Sequence, residues 1–154
     1  MTHVSREARI TPRCTGMYKK EHQQGWKRIV DFVHQQSKAK IALQLGHAGP
    51  KGSTKILWEG QDMALEKGWP IVGPFAVAYK DQIPHKLSKK EMLEIQNQFV
   101  QAVHLAEECD FDMLEFHCGH GYLFSSFITP LSNRRIDEYG GSLANRMRYP
   151  LEVL

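Results

Sequence analysis

Asp112-Met113-Leu114-Glu115-Phe116-His117-Cys118-Gly119-His120-Gly121-Tyr122 begins by alternating and ends polar and glycine-rich. Successive residues of a strand face opposite sides, so Leu114 and Phe116 share one face while Met113, Glu115 and His117 share the other. A second short run, Ile41-Ala42-Leu43-Gln44-Leu45, is apolar and is stopped by Gly46. Its length and flanks also predict a buried strand, with Ile41, Leu43 and Leu45 on one face and Ala42 and Gln44 on the other. Each strand thus sends apolar groups one way and polar groups the other. Gln44 and His117 stand near the C-terminal ends, where parallel α/β folds, and barrels above all, hold their active sites.

The segments around these strands are helical. Trp26, Ile29, Val30 and Val33 recur at the spacing of one helix stripe, predicting a helix from about Tyr18 to Gln36. Ser88-Lys89-Lys90-Glu91 is a capping box that opens a helix running to about Glu108. Its buried stripe is expected to be Met92, Ile95, Phe99, Val103 and Ala106. A helical turn is expected over Tyr122 to Ile128, and a last helix after Gly140-Gly141 with Ser142 as its N-cap. Met1 to Thr15 shows no periodicity and is read as loop. The stretch from Pro50 to Pro84 holds four of the seven prolines and is read as irregular, with a short extended piece near Ile71 to Ala78. Helices alternating with two visible strands imply parallel pairing through right-handed crossovers.

At 154 residues the chain has room for one domain with a core. Its 20 Lys and Arg against 17 Asp and Glu give a net charge of +3, spread along the chain rather than gathered in a patch. That distribution argues against nucleic acid and anionic membranes as partners. No apolar run approaches the roughly 20 residues of a membrane-spanning helix. Cys14, Cys109 and Cys118 form no C-x-x-C pair, which suits a reducing compartment. A cytoplasmic location is the expectation.

Two imidazoles and a phenol, His117, His120 and Tyr122, fall within six residues at a strand end. Paired imidazole N–H groups can hold and polarise one carbonyl oxygen, as an oxyanion site does. A neighbouring phenol can deliver a proton to a developing carbanion. The combination suits enone or enoyl chemistry. Other readings of the same residues are two metal ligands, although a third at a recognisable spacing is missing, or imidazoles satisfied by backbone carbonyls. Glu115 is expected to make a structural ion pair. Trp58 and Trp69 are read as packing residues of the long loop, with lining of the site as the alternative.

Three motifs occur in a familiar order. Gln44-Leu-Gly-His47-Ala-Gly resembles the third-strand motif of the Old Yellow Enzyme family of NADH:flavin oxidoreductases, and Phe111 to Leu123 resembles its fourth-strand motif. Pro130-Leu-Ser-Asn-Arg-Arg-Ile-Asp-Glu-Tyr-Gly-Gly-Ser142, with Asn145-Arg146, resembles the signature that follows that strand. The resemblance implies an α/β fold, a partial TIM (β/α)8 barrel covering roughly the second to fourth βα units, as one incomplete domain over residues 1–154. It implies FMN as cofactor, NAD(P)H as reductant and an activated alkene as small-molecule substrate. By position it casts His117 and His120 as holders of the substrate carbonyl, Tyr122 as proton donor and Gln44 as a partner of the flavin ring. Met1 to Tyr18, Gly52-Ser-Thr-Lys55 and Trp58-Glu-Gly60 look most like the reductase portion of bifunctional anthraniloyl-CoA or salicylyl-CoA monooxygenases.

The chain departs from the pattern at Pro50, where an Arg is usual and a charge is expected to be lost. Asp110 stands for a usual Gly, with strain expected at the helix-to-strand turn, and Gly119 for a common Ala. A complete barrel needs about 250 residues. The first strand and everything beyond the fourth unit are expected to be missing, leaving open sheet edges. As an isolated piece the chain is expected to bind FMN poorly and to associate with itself or with a completing chain. The alternatives to an ene-reductase are a non-catalytic fragment that self-associates and a metal-dependent barrel hydrolase using His117, His120 and His47.

Overall fold

In the computed structural model, which describes residues 1–60 and 62–154, the elements follow the order β1 (Thr2–His3), α1 (Lys20–Gln36), β2 (Ala42–Gly46), a 3-10 turn (Gly49–Lys51), α2 (Leu57–Gly60), β3 (Val72–Gly73), β4 (His85–Lys86), α3 (Lys89–Glu108), β5 (Met113–Phe116), α4 (Leu123–Ile128) and α5 (Leu143–Val153). The main sheet is parallel, in the order β1-β2-β5. Leu43 and Leu45 are buried against the helices, while Gln44 is partly open and Ala42 and Glu115 are exposed on the opposite face. The alternation therefore sets the two faces as the side-chain pattern requires.

Among the described residues the sheet has three strands rather than two. Thr2 pairs with Leu45 and His3 with Gly46 inside the segment that reads as loop. Two residues carry no periodicity of their own, so only pairing with β2 reveals them. The extended piece in the long loop is real but short: β3 lies parallel to β4, with Val72 opposite His85.

α3 opens on the complete capping box: Ser88 accepts from the Glu91 backbone N–H and the Glu91 carboxylate accepts from Ser88. Met92, Ile95, Phe99, Ala102 and Ala106 are buried, joining Leu43, Leu45, Phe124, Phe127 and Tyr149 in one core. Val103, expected in the stripe, packs at its edge. Tyr149 donates its hydroxyl to the Met92 carbonyl (3.0 Å), so α5 is pinned to the start of α3. Ser142 caps α5 as the sequence predicts.

α1 corrects its expected stripe. Val30 is buried, but Ile29 is 47% exposed, with Phe32 also exposed beside it. The helix is held along its Trp26 side, where the indole N–H donates to the Gly16 carbonyl (3.2 Å) and the ring meets Phe111 edge-on. The Ile29 flank has no neighbouring element to cover it among the described residues. Glu115 also departs from expectation: it is exposed, and no ion-pair partner is found for it among the described residues.

At the turn into β5, Asp110 adopts φ +66°, the left-handed conformation expected from its replacement of glycine. Asp112 follows, its carboxylate receiving the Lys40 ammonium (2.7 Å), the His34 imidazole (2.8 Å) and the Ile41 backbone N–H (2.9 Å). These three contacts hold that carboxyl well below the usual range and bind the start of β2 to the start of β5. Asp110→Gly removes the left-handed strain and, among the described residues, gives up only an exposed side-chain contact to His34 at 3.7 Å. Glycine also frees the unfolded chain, so the net gain is expected to be small, about 0.5 kcal/mol. A urea midpoint below wild type in this variant would show that Asp110 is not strained.

Candidate active site

β5 delivers His117 to the C-terminal edge of the sheet, and the glycine-rich turn after it brings His120 and Tyr122 back beside it. The His117 Nε2 and His120 Nδ1 atoms are 2.9 Å apart, and the ring centroids 4.9 Å. Tyr122 stands edge-on to His117 at 5.1 Å between centroids and lies 6.4 Å from His120. The three residues singled out from the sequence therefore form one cluster.

Their bonding differs from two free donors. The Gly119 backbone N–H donates to His117 Nδ1 (3.2 Å), so the neutral ring carries its proton on Nε2. Burial lowers the His117 pKa and favours that neutral form. Its Nε2–H then donates to His120 Nδ1, leaving the His120 Nε2–H free to point outward. In this arrangement a carbonyl oxygen meets one donor at once and the second only when His117 shares its proton. Burial also raises the Tyr122 pKa, which keeps its proton in place as a neutral acid.

The segment from Gly46 to Lys51 is the other wall. The His47 carbonyl accepts from the Leu123 backbone N–H (3.0 Å), tying the end of β2 to the start of α4. His47 itself is buried, its Nδ1 accepting from the Gly49 N–H (3.0 Å), and burial pushes its pKa down to about 3. Among the described residues no three His, Cys, Asp or Glu side chains converge as a metal site requires. The three-histidine hydrolase reading therefore loses its third ligand.

Pro50 sits buried in the 3-10 turn, yet the loop is not without charge. The next residue, Lys51, places its ammonium 2.7 Å from the His120 carbonyl. Of the long loop's tryptophans, Trp69 packs, donating to the Glu7 carbonyl (2.9 Å) beneath Arg9, whereas Trp58 departs from the expected packing role and is 74% exposed, with only Arg13 beside its ring among the described residues. Gly119 has room for the Ala it replaces, since an added Cβ would meet only His117 Cε1 at 3.6 Å.

The sequence profile of the NADH:flavin oxidoreductase / NADH oxidase family matches residues 1–154. The chain belongs to this family. Relatives include an NADH:flavin oxidoreductase of Gibberella zeae, 40% identical over 99% of this chain and 39% of that protein. An NADPH dehydrogenase of Bacillus subtilis is 37% identical over 98% of this chain and 41% of its own length. Among solved structures, morphinone reductase superposes with a TM-score of 0.85 at 30% identity, over 99% of this chain and 43% of that one. The chain thus spans about two fifths of the relatives it matches, and its parallel sheet with flanking helices is part of their TIM barrel.

The family's flavin can be set against the residues present. On the polar face of the sheet, His3, Gly46 and His117 occupy one cross-strand row, since His3 pairs with Gly46 and the His117 N–H bonds the Leu45 carbonyl. Gln44 projects from the same face, and its side-chain amide has no hydrogen-bond partner among the described residues. His3 donates Nδ1–H to the Thr15 carbonyl (3.0 Å), leaving its buried Nε2 orphaned. Gly46 keeps the middle of the row flat, so that the Met1 thioether lies directly over it. The Met1 side chain covers this row, and beneath and beside it the spare polar atoms of His3 and Gln44 are of the kind that fits the polar edge of a flavin ring. His3 gave no signal of this from sequence, because it belongs to a strand too short to read.

Proposed function

We propose that this chain carries the substrate-side half of an FMN-dependent ene-reductase that uses NAD(P)H to reduce an activated C=C bond. The observation that supports it is the His117–His120 pair, 2.9 Å apart, with the Tyr122 phenol edge-on to it at a barrel strand's C-terminal end. The outward His120 N–H and the shared His117 N–H take the substrate's carbonyl oxygen and stabilise the charge that grows there. Tyr122, kept protonated by burial, gives its proton to the α-carbon. Gln44 bonds the edge of the flavin ring. FMN, when bound, supplies the hydride to the β-carbon. The stretches Met1 to Tyr18, Gly52 to Lys55 and Trp58 to Gly60 favour an aromatic or enoyl-CoA thioester as substrate.

The phenolate of 4-nitrophenol is an oxyanion with a visible spectrum, and it tests the pair without any cofactor. Wild type should bind it saturably and lower its ionisation pH. His117→Ala and His120→Ala should each weaken binding about tenfold, the worth of one charge-assisted hydrogen bond. Tyr122→Phe should bind within a few fold of wild type, since that hydroxyl moves a proton rather than holding the oxygen. Failure of the wild-type chain to bind would sink the reading. FMN titration of the same sample tests the cofactor half. If FMN binds one-to-one, Tyr122→Phe should slow enone reduction by roughly a hundredfold or more.

A second reading has its own observation. Among the described residues β1 and β5 are the edge strands, and Met113 at the start of β5 is 60% exposed on the polar face. Unpaired edges invite strand pairing, so this incomplete domain is also proposed to associate with a second copy or a completing chain. Sedimentation at several concentrations reads this, and a concentration-independent monomer would reject self-association.

A further inference from the structure

We infer that Lys51 is a positioning residue of the site: its ammonium clamps the His120–Gly121 turn and so fixes the orientation of the His117–His120 pair. The inference rests on the reading of that pair as the substrate-holding group. His120 and Gly121 both have positive φ, +57° and +75°. A left-handed histidine is disfavoured and relaxes unless its surroundings hold it. The holding contact is visible: Lys51 Nζ donates to the His120 carbonyl at 2.7 Å.

Two further features keep the ammonium there. It lies 4.7 Å from the centroid of Tyr79, on the long loop, a distance at which a cation is attracted to a ring face. Its stem also runs over Gly121, where an added Cβ would sit 2.9 Å from Lys51 Cε and 3.0 Å from Nζ. Glycine at 121 thus serves both the backbone conformation and the passage of the lysine. The backbone of Lys51 is fixed in turn by the 3-10 turn Gly49–Lys51, where its N–H bonds the Ala48 carbonyl (3.2 Å). The chain of contacts runs from the end of β2 through Lys51 to the turn that carries His120. Without it, His120 loses the constraint that aims Nδ1 at His117.

The test reads the imidazoles directly, with no ligand needed. In wild type above neutral pH, 15N NMR should show His117 and His120 each in the single tautomer protonated on Nε2. In Lys51→Met the His120 signals should move to the mixed-tautomer average of a free imidazole, with the bonded population falling about fivefold. Lys51→Arg, which keeps a donor at that position, should restore most of it. The signals of His47 and His104 should not move, and the melting temperature should stay within a few degrees. A single-tautomer pair surviving in Lys51→Met would overturn the inference. So would shifts spreading to His47, which would mean general loosening rather than positioning. If the tautomers respond as expected while 4-nitrophenol fails to bind wild type, the substrate-holding reading falls and the clamp stands.

Discussion

Replacing Arg135 with Met is expected to destabilise the fold by about 3 kcal/mol, since it removes a buried guanidinium that bonds two carbonyls and a partly exposed carboxylate. The Arg135 side chain is only 3% exposed. Its Nε donates to both Asp137 oxygens (2.9 and 3.1 Å) and its Nη2 to one of them (2.6 Å). Nη1 donates to the Leu87 carbonyl (2.7 Å) and the Pro74 carbonyl (3.2 Å). One guanidinium thus fastens the signature loop to the long loop and to the residue just before the α3 cap. The nearby Asn133 amide donates to the Phe127 and Tyr139 carbonyls (both 2.7 Å), and its oxygen receives the Arg135 N–H. Gly140 passes so close that an added Cβ would lie 2.0 Å from the Arg135 carbonyl. Methionine fills much of the volume but strands two carbonyls and the Asp137 carboxylate, which Arg135 now holds below its usual pKa. The milder change Arg135→Lys keeps the charge without the fork and should lose about half as much. Urea unfolding decides the matter: an unchanged midpoint in Arg135→Met would mean that the network carries no stability.

That network explains why the sequence could show the signature but not its purpose. Arg135 bonds residues 48 and 61 positions away, and no local pattern encodes such partners. Lys51 reaches across 69 positions to His120 for the same reason. By contrast, α3 could be read almost to the residue, because its capping box and stripe are local. The faces of β2 and β5 follow from alternation alone. The strain at Asp110 was legible as a mismatch between a side chain and a turn that normally takes glycine. β1 was not, since a two-residue strand exists only through its neighbour. Ile29 misled because periodicity marks an apolar stripe without saying whether anything packs on it. For the site, spacing brought His117, His120 and Tyr122 together correctly. The bond between the two imidazoles depends on how the Gly119 N–H sets the His117 tautomer, which spacing does not determine.

The second large effect is acid sensitivity arising from buried neutral histidines. His3 is 1% exposed and burial, only partly offset by its bond to the Thr15 carbonyl, pushes its pKa down to about 4. His47 is pushed down to about 3, first by burial and then by the nearby His3. Both rings return to about 6.5 in the unfolded chain. Between those values the unfolded chain binds protons that the fold refuses, so stability rises with pH. The contribution is complete above about pH 6.5 and is lost as pH falls toward 4 and then 3. From pH 7 to pH 5 the loss is about 2 kcal/mol for each histidine. Carboxylates stabilised in the fold act lower: Glu91, bonded to Ser88 and held at about 2, begins to matter only below its ordinary value of 4.5. The window between about pH 6.5 and 5 therefore isolates the histidines. Urea midpoints measured across it should fall steeply in wild type. His47→Asn, whose side-chain oxygen can still accept from the Gly49 N–H, should flatten the slope by nearly half. An equal slope in that variant would place the acid sensitivity elsewhere, in a chain where His47 is already charged or already solvated at neutral pH.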